Sequence, residues 1–95
     1  MDVIGTELLF KFKLKYSDVR KQIDAWLCEA KEAQWKTSHD IKARYQSASI
    51  LWDSHVVFDF KGGHYRLLVK INYLNKIVLI KKIGTHSEYD KWGLK

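Results

Sequence analysis

Two runs rich in β-branched and aromatic residues, VVFDF at 56–60 and YRLLVKI at 65–71, stand on either side of Gly62-Gly63. No other feature constrains this 95-residue chain as tightly. A Gly-Gly pair reaches the positive φ angles of a tight hairpin without steric cost, and the flanking residue types suit a pleated surface. The spacing predicts an antiparallel hairpin closed by a two-residue turn. A third run, IVLI at 77–80 and on to Ile83, follows a turn at 72–75 and extends the hairpin to a three-stranded meander. Alternation along the middle strand puts Leu67, Val69 and Ile71 on one face and Arg66, Leu68 and Lys70 on the other.

The first half has a different period. Residues 1–5 read as a short strand ended by Gly5. Thr6 then caps a helix with Glu7 in its first turn. Residues 10–16, FKFKLKY, support two readings. Strict alternation says strand, whereas a helix from Glu7 turns Leu8, Leu9, Phe12 and Tyr16 to one side. The next element is clearer. Ser17 is its expected N-cap, with Asp18 beside it, and Val19, Ile23, Trp26, Leu27 and Ala30 recur at helical spacing over 18–34. That stripe is the expected core face. Residues 37–45 read as one short helix capped by Thr37 or Ser38, with Ile41 and Tyr45 inward. Residues 46–53 read as loop, apolar at Ile50, Leu51 and Trp52.

Near the end, Gly84 is expected to stop the last strand. Thr85-His86-Ser87-Glu88 has the [ST]-x-x-E form of a capping box and opens a final short helix, which Gly93 ends. The order is strand, helices, meander and last helix. That is α+β, with helices over one face of an antiparallel sheet.

Composition narrows the function classes. With 46% hydrophobic residues, 14% aromatic and no proline, the chain is neither disordered nor low-complexity. Its length suits a single domain over residues 1–95. No apolar run nears the roughly 20 residues that cross a bilayer. Asp2 stands where a secretory leader carries positive charge, so the expected location is cytoplasmic. Cys28 is the sole cysteine. It excludes an internal disulfide and a zinc site built on cysteine pairs, and is expected buried or half-buried. His39, His55, His64 and His86 show no metal-ligand spacing, so neither metal nor other cofactor is expected. The net charge of +6 is uneven: residues 1–53 hold 9 Lys/Arg against 8 Asp/Glu, and residues 54–95 hold 8 against 3. A basic C-terminal half suits a polyanion, nucleic acid above all.

Candidate chemistry clusters there. Arg66 and Lys70 project from one face of the middle strand. Their competing uses are an anion and, for Arg66, a cross-strand ion pair with Asp59. His86 lies at the strand-to-helix junction, with Tyr89 and Asp90 three and four residues on, along the same helical side. A titratable imidazole, a phenol and a guanidinium together suit RNA cleavage. The 2′-OH needs a base, the phosphate needs positive charge and the leaving 5′ oxygen needs an acid. The bland alternative is that His86 merely caps the junction while Tyr89 packs and Asp90 stays solvated. Lys61 and His64 flank the Gly-Gly turn, and Lys81 and Lys82 sit near the end of the last strand. They form either a solvated hairpin tip or a rim for phosphates.

The stretch Ile83-Gly84-Thr85-His86-Ser87-Glu88-Tyr89-Asp90-Lys91 resembles the C-terminal segment of the HigB family of toxins. Trp35-Lys36, Asp40-Ile41-Lys42, YQSASIL from Tyr45, Val57-Phe58 and the run from Tyr65 to Tyr73 agree with it. The resemblance runs from about Trp26 to the end. It implies a RelE/ParE-like fold, two N-terminal helices on an antiparallel meander with a short C-terminal helix, and thereby makes 10–16 helical. It implies a metal-independent endoribonuclease that cuts messenger RNA in the ribosomal A site. It also implies a HigA-like helix-turn-helix antitoxin, with operator DNA bound through the toxin–antitoxin complex.

By the same resemblance Arg66 is the central-strand arginine. His86 takes the place of a second basic residue, often arginine in RelE-type toxins. Tyr89 is the C-terminal aromatic, ahead of Trp92. His86 is then the leading acid or base, Asp90 orients it, and Lys61, His64, Lys70, Lys81 and Lys82 contact RNA. The strand lysines of RelE-type toxins are replaced here by Val57 and Asp59, with Lys61 just beyond, so the general base stays open. Other readings are a ParE-like poison of DNA gyrase, a non-catalytic RNA-binding module and a degenerate toxin that keeps only antitoxin binding.

Overall fold

The computed structural model describes residues 1–94. Five strands form one sheet in the order β1-β5-β4-β3-β2. They are β1 (Asp2–Ile4), β2 (Ser49–Ile50), β3 (His55–Phe60), β4 (Tyr65–Asn72) and β5 (Ile77–Thr85). The helices are α1 (Thr6–Lys15), α2 (Arg20–Glu32), α3 (Ser38–Arg44) and α4 (His86–Asp90). Strands β3, β4 and β5 are the expected antiparallel meander. The sheet as a whole is mixed, because β1 runs parallel along the outer edge of β5. Residues 46–53 are not wholly loop: Ser49 and Ile50 pair with Val57 and Val56 as the opposite edge.

Residues 10–16 settle as helix up to Lys15, with the Tyr16 N–H closing on the Phe12 carbonyl at 2.8 Å. A strand would have buried Phe10, Phe12, Leu14 and Tyr16 together. The helix instead turns Leu9 and Phe12 into the core and leaves Phe10 and Leu14 in solvent. Gly5, at φ 94°, is the N-cap in place of Thr6, because the chain reverses there from strand to helix against Ile80. Ser17 caps nothing: Ser17–Val19 is a single 3₁₀ turn, and α2 begins at Arg20. It ends at Glu32, short of Gln34, where Ala33 goes extended. Thr37 is the N-cap of α3, and the Asp40 carboxylate accepts from the Lys36 and Thr37 N–H groups. Cys28 is exposed, against expectation. Trp26, Leu27 and Ala30 take the buried stripe of α2, and Cys28 falls off it.

The core lies between these helices and one face of the sheet. Ile23, Trp26 and Leu27 meet Val56 and Phe58 of β3, Leu67, Val69 and Ile71 of β4, and Val78 and Ile80 of β5. On the other face Val57 pairs with Leu68, flanked along the strands by Arg66 and Asp59 on one side and Lys70 on the other. A register shift between Leu68 and Val69 leaves Lys81 as the extra residue of β5. This bulge reverses the alternation, so Gly84 pairs with Arg66 instead of facing the core. Gly84 therefore does not stop the strand but sits inside it. A Cβ there would lie 3.1 Å from Trp92 Cζ2 and 3.0 Å from Glu88 Oε1, so the missing side chain lets the C-terminal segment close over the second face. The last helix stops at Asp90, and Gly93, at φ 70°, follows two residues beyond its Lys91 C-cap. Among the described residues no helix is long and apolar enough to cross a membrane.

The connection between β3 and β4 has four residues, not two, since Phe60 pairs with Tyr65. Lys61, Gly62 and Gly63 all have positive φ (51°, 64° and 93°), closed by the His64 N–H on the Lys61 carbonyl at 3.2 Å. A Cβ on Gly63 would stand 3.2 Å from Arg66 Nη2. Gly63→Ala is therefore expected to cost about 1–2 kcal/mol through its left-handed backbone, lowering the melting midpoint by roughly 4 °C or more. A thermal melt measures this.

Candidate functional site

The pairing of Arg66 with Gly84 places the end of β5 and the start of α4 beside the Arg66 side chain. The His86 N–H donates to the His64 carbonyl at 2.8 Å, which ties the helix start to the β3–β4 loop. Thr85 and Glu88 form the capping box. The Glu88 carboxylate accepts from the Thr85 N–H at 2.8 Å, and Thr85 Oγ1 accepts from the Glu88 N–H at 3.3 Å. That backbone N–H holds the Glu88 carboxyl below its ordinary range, with burial opposing. The cap uses Thr85 and Glu88 side chains, so the His86 ring is free of it.

Arg66 is braced from three sides. Its single Nε–H donates to the Gly63 carbonyl at 3.1 Å. Asp59 Oδ1 lies 3.3 Å from the same nitrogen. Because that hydrogen is already used, Asp59 contributes charge rather than a hydrogen bond, and its Oδ1 has no hydrogen-bond partner. The ion pair and the anion-binding use of Arg66 are thus compatible, since Nη1 has no hydrogen-bond partner among the described residues and Nη2 has only the His86 ring. The Tyr89 ring centre is 4.6 Å from Arg66 Cζ, a cation–π stack. Arg66 Nη2 lies 3.5 Å from His86 Nδ1. A guanidinium only donates, so this contact is a hydrogen bond in the tautomer that keeps the lone pair on Nδ1; Nε2 faces Asp90 Oδ2 at 3.5 Å. The imidazole is 57% exposed and the guanidinium 18%: one is open to a substrate, the other is held by protein.

His86 also lines a cleft of about 440 Å³ with Tyr16, Asp18, Lys61, His64 and Tyr65. Asp18, in the middle of the 3₁₀ turn, accepts from Lys61 Nζ at 2.6 Å and from the Tyr65 hydroxyl at 3.0 Å. The Lys61 hydrogen bond holds the Asp18 carboxyl below its ordinary value of 3.8, and burial opposes it. The same bond raises Lys61 above 10.5. Both shifts favour the charged pair. The aspartate share is present above 3.8 and lost as pH falls through its lowered folded value. The lysine share is present below 10.5 and lost as pH rises through its raised one. Carbon-13 titration of Asp18 should show a midpoint below 3.8 in the wild type and a higher one in Lys61→Ala.

The structure brings Arg66, His86, Tyr89 and Asp90 into one group and sets Lys61 and His64 along the adjoining cleft. It leaves Lys70 and Lys81 outside that group and sets Lys82 at its border, over the Trp92 ring that packs edge-on against Tyr89 at 5.6 Å. Lys70 is four residues further along β4, bridged to Asp53 at 3.1 Å. Lys82 Nζ lies 5.7 Å above the Trp92 ring, and Lys81 is the bulged residue. Val57 is fully buried and Asp59 adds negative charge, so neither stands in for a strand lysine. Among the described residues no three His, Cys, Asp or Glu side chains cluster to hold a metal ion. Tyr16, Asp18 and Tyr65 were missed in sequence. Asp18 reads there as a first-turn acid, and nothing local connects it to Lys61, 43 positions away.

A family model described as HigB toxin, RelE-like toxic component of a toxin–antitoxin system, matches residues 19–92. No curated protein matches the chain.

Proposed function

Because the chain belongs to the HigB family of RelE-like toxins, the toxic components of toxin–antitoxin systems, we propose that it cleaves messenger RNA on the ribosome at the Arg66–His86 group. The observation that carries this reading is the placing of His86 Nδ1 3.5 Å from Arg66 Nη2. A base and an anion holder stand within one phosphodiester of each other.

Arg66, anchored at Nε, offers its Nη donors to the non-bridging oxygens and to the charge that grows on them. Entry of the phosphate draws Nη2 from Nδ1 and frees the lone pair. His86 then accepts the 2′-OH proton, and the 2′ oxygen attacks phosphorus. The bond to the 5′ oxygen breaks, leaving a 2′,3′-cyclic phosphate and a 5′-hydroxyl. Asp90 faces Nε2, which holds the tautomer and stabilises the imidazolium. Tyr89 keeps the guanidinium plane in place and is the candidate donor to the leaving oxygen. Lys61 and His64 line the path of the chain, and Lys70, Lys81 and Lys82 contribute general attraction to phosphates. The chemistry needs no metal. The small, open site leaves most of the substrate positioning to the ribosome.

The toxin acts in the cytoplasm, where translating ribosomes are. A HigA-like antitoxin with a helix-turn-helix domain neutralises it and carries the complex to operator DNA. The test is purified protein on programmed ribosomes beside the same RNA free in solution. Fast cleavage on ribosomes, slow cleavage of free RNA and cyclic-phosphate ends are expected. Growth arrest with intact messages, or equal rates on free RNA, would overturn the reading.

A further inference from the structure

The outward face of α1 is apolar at its centre. Leu14 is 87% exposed and Phe10, one turn before it, 49%. At i, i+4 the two side chains form one continuous stripe. The opposite side of the helix already supplies the core through Leu9 and Phe12, so α1 carries two apolar faces and only one is covered. Its charges are one-sided too: Lys11, Lys13 and Lys15 against Glu7. Lys13 Nζ lies 5.0 Å from the Phe10 ring centre while bridged to Asp24 of α2 at 2.5 Å.

We propose that this face of α1 is the docking surface for the antitoxin, through an acidic amphipathic segment of that partner. The proposal rests on the toxin reading above. An apolar stripe rimmed by lysines is complementary to apolar side chains at helical spacing flanked by carboxylates. A second copy of this chain fits poorly, because a two-fold contact would set lysines against lysines. Tyr16, next after α1, lines the cleft that holds His86. A partner that follows α1 to its C-terminal end thus stands beside the site and hinders its approach to the ribosome without entering it.

The test uses the double variant Phe10→Asp, Leu14→Asp and the single variant Lys11→Glu. The probe is the product of the reading frame adjacent to the toxin's own. Both variants should melt like wild type and arrest growth like wild type. The double variant should bind the probe roughly 10²-fold more weakly, as expected for loss of two central apolar anchors, and escape neutralisation. Lys11→Glu should weaken binding less, mainly at low salt. Neutralisation of the double variant as good as that of wild type would overturn the docking surface and leave the proposed function standing. Loss of ribosomal cleavage in a folded double variant would give the face to the ribosome instead. Self-association of wild type abolished by the variant would give it to a second copy. A probe that fails to neutralise even wild type would sink the proposal, while cleavage by wild type would still uphold the function.

Discussion

Single-turnover cleavage of ribosome-bound message by His86→Gln should be slower than wild type by roughly 10²–10⁴-fold, the usual size of a general acid–base contribution. Glutamine keeps a polar group near Arg66 but cannot take up the 2′-OH proton. His86→Ala should lose about the same. Neither variant should unfold, because the cap of α4 is made by Thr85 and Glu88 and the imidazole is largely exposed. Thr85→Ala makes the opposite forecast: about 1 kcal/mol of stability lost with the cap, and a cleavage rate reduced only as far as α4 frays. A melt run beside the kinetics separates the two. A wild-type rate for His86→Gln would remove the imidazole from the chemistry and leave Tyr89 as the titratable group on the guanidinium.

Phe58→Ala should cost about 3–5 kcal/mol, the range for deleting a buried aromatic. Phe58 is 1% exposed at the centre of β3. Its ring lies 5.3 Å from Trp26, 5.1 Å from Tyr45 and 6.3 Å from Trp35, so one side chain joins α2, α3 and the segment between them to the sheet. The void has little to collapse into it, since three of its walls are rigid rings. Against a total stability of roughly 5–15 kcal/mol for a small domain, the loss should lower the melting midpoint by about 12 °C or more. Urea unfolding measures it, and a loss under 1 kcal/mol would show that the rings repack.

Local spacing made much of this chain legible. The meander, the buried stripe of α2, the cap of α4 and the grouping of His86 with Asp90 are each signalled by spacings within one run or across one short turn, and side-chain periodicity reports such relations directly. The parts that escaped depend on distance. FKFKLKY alternates like a strand but sits under β5 as a helix, because Leu9 and Phe12 are needed in the core and Phe10 and Leu14 are not. Gly84 reads as a strand breaker and is instead a site of close approach, visible only once Trp92 and Glu88 are seen above it. Cys28 suits burial by type and is exposed by its angle on α2.

Sequence by itself determined that the second half forms a three-stranded meander, that its middle strand divides Leu67, Val69 and Ile71 from Arg66, Leu68 and Lys70, and that helices cover one face of the sheet. It also placed an arginine, a histidine and a tyrosine in the half that carries the positive charge. Only the tertiary structure decided that β1 closes the edge of β5, that a bulge at Lys81 turns Gly84 toward Arg66, and that Asp18 meets Lys61 and Tyr65 beside His86. Register and bulges follow from backbone hydrogen bonding and packing across the whole sheet, and a one-residue shift moves every side chain to the other face. No period within a single segment carries that information.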